Sequence, residues 1–285
     1  MILERVNHDL RSNNGGTIYL PPNPSYNNLD IPALHEAATS QKYDLTTKFR
    51  FNGKTFVYCQ GIVKGSSGEY ANAKLIASKG AVSARVMAIT YSTAKIGSHD
   101  AGIEEVTIEQ DGITENEYKY GHMIIGHQGE AGVQNRGIIA NTATDAVTGL
   151  ATFYLDIPLS HPTVHDTTAI EVWKCPYGAV EWGGVDYQYT SVLGIPMVNV
   201  AQGLLDGQFV WLQTWGPCWV CPGAAALGAS VEERQAVFDT QGQLAAPATT
   251  KDDLQIAGFL IEKTKDEYTS TAAYDGEFIM LQLDP

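Results

Sequence analysis

The sequence predicts a mainly β protein, a β-sandwich or barrel-like domain or domains of antiparallel hairpins. An extended N-terminal arm and at most one or two short helices complete the expectation. Three observations carry it. Short apolar runs recur at intervals of roughly 10–20 residues between Gly, Asn, Asp and Pro turn signals, the spacing of sandwiches and barrels. Asn52-Gly53 separates Lys48-Phe-Arg-Phe51 from Lys54-Thr-Phe-Val-Tyr-Cys59, the strongest short-range hairpin signal. Five tryptophans lie between residues 173 and 219, three of them in Phe209-Val-Trp-Leu-Gln-Thr-Trp-Gly-Pro-Cys-Trp-Val-Cys221.

Taken in order, residues 1–29 are rich in Asn, Gly and Pro and predict an extended arm that carries Tyr19 and Tyr26. Ile31-Pro-Ala-Leu-His-Glu-Ala-Ala-Thr39 predicts a short helix, with Asp30 as its cap and Pro32 in its first turn. The Asn52-Gly53 hairpin follows. Arg85–Tyr91 and Glu105–Glu109 are further strands, the second closed by Asp111-Gly112. Gly121–Gly126, Gly137–Ala140, Ala151–Ile157, Ala169–Trp173 and Pro196–Val200 continue the series.

In the tryptophan segment, alternate residues are apolar on both sides, as expected of a strand buried on both faces. Gly216-Pro217 is expected to break it before Cys218-Trp-Val-Cys221 resumes. Ala236–Phe238, Ile256–Ile261 and Glu277–Leu283 complete the strands. Ser230–Val237 has helical propensity, but the Asp239-Thr-Gln-Gly242 turn favours a strand there. A composition change at 97–102 suggests an N-terminal β module at 30–98 and a main β domain at 99–285.

Composition narrows the function classes. Of the 285 residues, 44% are hydrophobic, enough for a sizeable core, and only 18% are charged, which suits a surface partly buried in an assembly. The formal net charge of −14 repels phosphates and anionic lipid, so neither a nucleic acid nor a membrane is an expected partner. No stretch approaches the ~20 apolar residues that span a bilayer, and the first residues lack the pattern of a secretion signal. Four cysteines, Cys59, Cys175, Cys218 and Cys221, make no disulfide scaffold and fit synthesis in a reducing cytoplasm.

Catalytic and metal motifs fare poorly. Cys218-X-X-Cys221 lies in a strand-like run between Pro217 and Pro222, not at a helix N-terminus that would activate a thiol. Neither Cys59 nor Cys175 belongs to a second ligand pair for zinc. Buried apolar cysteines are the preferred reading. His122/His127 and His161/His165 lack the helix that a two-histidine metal site needs, and Gly126–Gly132 lacks the Lys-Ser/Thr ending of a phosphate loop. No catalytic residue, cofactor site or metal site is assigned, and the chain is not read as an enzyme. The aromatic residues are the better candidates. Trp173, Trp182, Trp211, Trp215, Trp219, Tyr19 and Tyr26 are read as interface or anchor residues, with core the preferred place for Trp173 and Trp211 and exposure for Trp182.

The order of these pieces resembles a group of tailed-phage virion proteins. The resemblance runs over roughly residues 40–285. It is carried by Tyr43–Gly61 with its hairpin, by Gly121-His-Met-Ile-Ile-Gly-His-Gln-Gly-Glu-Ala-Gly132 and by Thr152–Leu159. Thr168–Tyr177, Asp206–Pro217 and the late Ile256-Ala-Gly-Phe-Leu260 extend it. It implies a capsid decoration or cement protein: β-rich, often homotrimeric, bound to the major capsid protein on the outer shell, made in the host cytoplasm and without catalytic residues. Cys218-Trp-Val-Cys221 is not a feature of that group. The alternative is a carbohydrate- or host-binding β module of a phage fibre or tail, stacking sugars on the tryptophans.

Overall fold

Antiparallel strands dominate the computed structural model, which describes residues 17–19, 32–61, 82–84, 88–89, 95–127, 133–178, 180–182, 191–198, 207–220, 234–238, 244–247, 255–262 and 277–284. No helix of seven residues or more is present among them. The chain divides into two compact units, one made of Met1–Arg85 with Tyr177–Pro285 and the other of Val86–Pro176. The composition change at 97–102 therefore lies inside the second unit. The expected modules 30–98 and 99–285 do not coincide with this division.

In the first unit, β1 (Thr17–Tyr19), β2 (Lys48–Phe51), β3 (Lys54–Gln60) and β14 (Phe209–Val220) lie side by side. Beyond β14 come β18 (Glu277–Gln282), β17 (Ile256–Glu262), β15 (Gln235–Phe238) and β16 (Leu244–Ala245). Short strands β4 (Val82–Ala84), β12 (Val180–Trp182) and β13 (Val192–Pro196) join the same sheet, β13 bridging β4 and β14. The β2–β3 hairpin turns through Asn52 and Gly53 at φ +50° and +72°, the two left-handed residues of a type I′ turn. Of the predicted arm, Thr17–Tyr19 pairs in parallel with Lys48–Arg50. The rest of 1–29 lies outside the described residues.

The centre of this sheet is apolar on both faces. Phe49, Phe56, Tyr58, Phe209 and Trp211 form one cluster, over which Leu34, Ala38, Tyr43 and Leu45 are laid. Cys59, Val180, Val210 and Leu212 form another. This is the doubly buried strand that the alternation of residues 209–214 predicts.

Three local expectations are corrected. Within the helix expected at 31–39, residues 32–39 are not helical, and Ile31 lies outside the described residues. The stretch turns from Leu34 to Pro32 and from Glu36 to Ala33, and Ala38 exchanges two backbone bonds with Phe209 (2.9 and 2.8 Å), which hold it extended. The strand expected at 196–200 instead lies earlier, at Val192–Pro196; Met197 and Val198 form a bend, and Asn199 and Val200 lie outside the described residues.

Nor does Gly216-Pro217 break the tryptophan strand. β14 runs on for 12 residues, with a register shift against β3 between Gln213 and Trp215. The buried Gln213 amide holds this bulge by donating to the carbonyls of Pro217 (2.9 Å) and Trp215 (3.1 Å). Past Trp215 only β18 pairs with β14 among the described residues, so one strand edge is open and a proline is tolerated there.

The second unit is a seven-stranded sheet. Its order is β5 (Ala88–Ile89), β11 (Thr168–Trp173), β8 (His122–His127), β9 (Gln134–Asn141), β10 (Leu150–Leu155), β7 (Glu105–Glu109) and β6 (Lys95–Ile96). It curls around one core that includes Ile96, Val106, Ile108, Met123, Ile125, Phe153, Ile170 and Val172. An antiparallel bridge between His99 and Thr163 ties the segment after β6 to the one before β11. The buried Asn141 side chain accepts from the Tyr118 N–H (2.8 Å) and donates to the carbonyls of Thr114 (2.8 Å) and Thr142 (2.9 Å). Every polar atom of that side chain is thereby satisfied, and the 114–118 loop is fixed.

Candidate functional site

After its bulge, β14 alternates strictly. Gly216, Cys218 and Val220 are buried, while Trp215, Pro217 and Trp219 are partly exposed. Their cross-strand neighbours extend the exposed side: Trp219 lies opposite Phe278, Pro217 opposite Met280 and Trp215 opposite Gln282. One strand further, Phe259 lies opposite Met280. Phe259 is 44% exposed, Phe278 43% and the nearby Ile261 36%. The opposite side of the same strands is closed, with Cys218, Val220, Leu260, Ala257, Ile279 and Leu281 in one packed cluster with Ala236, Phe238 and Leu244.

The outcome is a three-strand apolar face, built of Trp215, Pro217, Trp219, Phe278, Met280, Phe259 and Ile261, that nothing among the described residues has buried. Single exposed apolar residues, such as Val147 in its turn, need no explanation. A contiguous face of two tryptophans, two phenylalanines and aliphatic neighbours does, because patches of a few hundred Å2 mark interaction surfaces. The aromatic and aliphatic side chains suit burial against another protein surface.

The other aromatic candidates disperse. Trp211 is buried against Tyr43, Tyr58 and Phe49, with ring centroids at 5.3, 5.0 and 6.1 Å. Trp173 sits partly buried on β11, opposite His122, and its indole N–H meets no hydrogen-bond partner among the described residues. Trp182 pairs through its backbone with Val82. Tyr19 pairs through its backbone with Arg50, and Tyr26 lies outside the described residues. Of the seven candidates, the structure brings together Trp215 and Trp219.

Sequence reasoning passed over Phe259, Ile261, Phe278 and Met280, which it read only as strand residues. A signal was present: Phe278-Ile-Met-Leu281 is apolar at both parities, so two apolar faces had to find cover.

Cysteine and histidine chemistry finds no cluster. Cys59, Cys175 and Cys218 are buried, and Cys221 lies outside the described residues. Among the described residues no group of three or more His, Cys, Asp or Glu could hold a metal ion, and no helix is long and apolar enough to cross a membrane. His165 lies on the surface, 3.2 Å from Glu109 and 3.1 Å from Asp166, which is itself paired with Lys95 at 2.6 Å. The bond from Lys95 holds the Asp166 carboxyl below its usual range. His99 is different: partly buried, it accepts the Thr107 backbone N–H at Nε2 (3.0 Å), and burial keeps its pKa below the ordinary histidine value.

No protein-family model, curated protein or solved structure matches the chain.

Proposed function

We propose that the chain is a structural protein of a tailed-phage virion, a decoration or cement subunit that binds the outer capsid surface and bridges major capsid subunits. The observation that carries an assembly role is the apolar face of β14, β18 and β17. The capsid as partner rests on the resemblance of residues 40–285 to phage head proteins. A cement subunit works mechanically, through moderate interfaces repeated by symmetry, so no turnover of a substrate is required. Homotrimerisation would multiply each contact, and a net charge of −14 would keep free subunits apart until an uncharged face finds its partner.

The sugar-binding alternative shares the exposed tryptophans. It is disfavoured because Pro217, Met280 and Ile261 interleave with them, which suits apolar protein burial better than stacking on sugar rings.

The reading is tested with particles made with and without the gene that encodes the chain. Particles lacking it are expected to release DNA at lower temperature and after milder osmotic shock. Equal resistance would remove the cement role. A double variant, Phe259→Asp with Phe278→Asp, should stay folded, because both side chains are exposed and surface changes usually cost less than about 1 kcal/mol. It should nonetheless fail to co-sediment with particles.

A further inference from the structure

The β6–β7 ladder contains a substitution of side chain for backbone. Lys95 pairs with Glu109 and Ile96 with Ile108, and the next pair would be Gly97 with Thr107, exchanging two backbone bonds. One of those bonds is made: the Gly97 N–H donates to the Thr107 carbonyl at 2.8 Å. The other is not. The Thr107 N–H donates instead to Nε2 of His99 at 3.0 Å, and the Gly97 carbonyl accepts the Thr163 hydroxyl at 2.7 Å. The imidazole occupies the place of a peptide carbonyl.

The same residues hold the seam that ties the end of β6 to the segment before β11. The His99 N–H donates to the Thr163 carbonyl (3.2 Å) and the Thr163 N–H to the His99 carbonyl (2.8 Å). The His165 N–H donates to the Ser98 hydroxyl at 3.0 Å. Residue 97 has to be small, since a Cβ there would lie 2.8 Å from His99 Nε2 and would overlap the Thr107 hydroxyl.

We propose that His99 is a proton-operated clasp on this seam, closed by the neutral ring and opened by the imidazolium. An amide N–H can be accepted only by a ring nitrogen with a free lone pair, so the closed state requires Nε2 bare and the proton on Nδ1. Protonation sets N–H against N–H. The Thr107 hydroxyl, 3.2 Å from Nε2, can rotate to accept from the imidazolium. The Thr107 amide cannot turn without leaving the ladder.

Charged groups on the surrounding elements are Lys95 on β6, Asp100 just after His99, Glu105 and Glu109 on β7, and His165 and Asp166 before β11. The carboxylates favour the imidazolium. Asp166 and Glu109, however, are engaged by Lys95 and His165. Burial is the larger influence and favours the neutral ring, and an amide N–H donating to Nε2 can be accepted only by that form.

The sign follows. Because the folded value is depressed, the open seam takes up a proton that the closed seam refuses. The seam's stability is therefore full above the ordinary histidine value of about 6.5 and falls as the pH drops from there towards the folded value.

The test is amide hydrogen exchange of the intact chain from pH 7.5 to 5, corrected for intrinsic rates. The Thr107 and Thr163 amides should open more readily, by up to about tenfold per pH unit below 6.5. Amides of β8 and β9 should not respond. His99→Gln places a pH-independent acceptor oxygen near Nε2 and should abolish the response. An equal response in wild type and His99→Gln would overturn the proposal. If His99→Gln fails to fold, imidazole 15N shifts of the wild type decide: a bare Nε2 at pH 7.5 supports the clasp, and a protonated Nε2 overturns it.

Discussion

Trp211→Ala is expected to destabilise the first unit by about 3–5 kcal/mol, the usual cost of deleting a buried aromatic side chain. The indole is 2% exposed on a strand paired on both edges. It fills the space between the rings of Tyr43, Tyr58 and Phe49. Those neighbours come from the 32–45 segment, β3 and β2, so the cavity would be walled by three separate stretches of chain. Backbone pairing fixes two of them in place, which limits collapse. Denaturant unfolding should show a lower midpoint at unchanged slope. Trp211→Phe should recover most of the loss, because the ring-edge contacts survive. A Trp211→Ala protein within about 1 kcal/mol of wild type would mean that this cluster does not anchor the sheet.

Gly216→Ala should be comparably damaging, for a different reason. Gly216 has φ +94°, and a Cβ there would overlap the carbonyl oxygen of Gly53 and lie 3.0 Å from the Lys54 Cα. Both obstacles are backbone, at the turn of the β2–β3 hairpin, so no rotamer change relieves them. Strain of roughly 1–3 kcal/mol from the dihedral alone adds to displacement of the hairpin from β14. Gly53 supplies the control. It too has positive φ (+72°), but a Cβ would meet nothing within 4 Å, so Gly53→Ala should carry only the dihedral cost of about 1–2 kcal/mol. Equal losses for the two substitutions, read from thermal midpoints, would show that the close approach of β14 to the hairpin turn contributes nothing.

These two residues also mark what the sequence made legible. Burial of Trp211 follows from an apolar run with both parities filled, and the hairpin from Asn52-Gly53, since each depends on neighbours in sequence. The role of Gly216 is tertiary. Its pairing with Pro217 reads locally as a strand breaker, but a bulge held by Gln213, and an edge that no second strand pairs among the described residues, let β14 pass through. The helix expected at 31–39 lost to backbone bonds with Phe209, a residue far along the chain. The apolar face was hidden for the same kind of reason. Alternation shows that Trp215 and Trp219 point opposite to Cys218, but which side is covered depends on residues of β13, β15 and β16 packing against one of them. His99 could not be read at all, because its partner Thr107 reaches it only when β6 leaves its ladder.

If the face formed by β14, β18 and β17 meets a neighbour in an assembly, as proposed, it is shielded there and exposed in the free chain. Hydroxyl-radical footprinting of the free chain and of particles that contain it tests this directly, with mass spectrometry reading the oxidation of Trp215, Trp219, Phe259, Phe278 and Met280. All five are expected to be modified in the free chain and protected together in the particle, while Tyr154, exposed on β10 of the second unit, serves as an internal reference. Equal oxidation of the five in both states would contradict it.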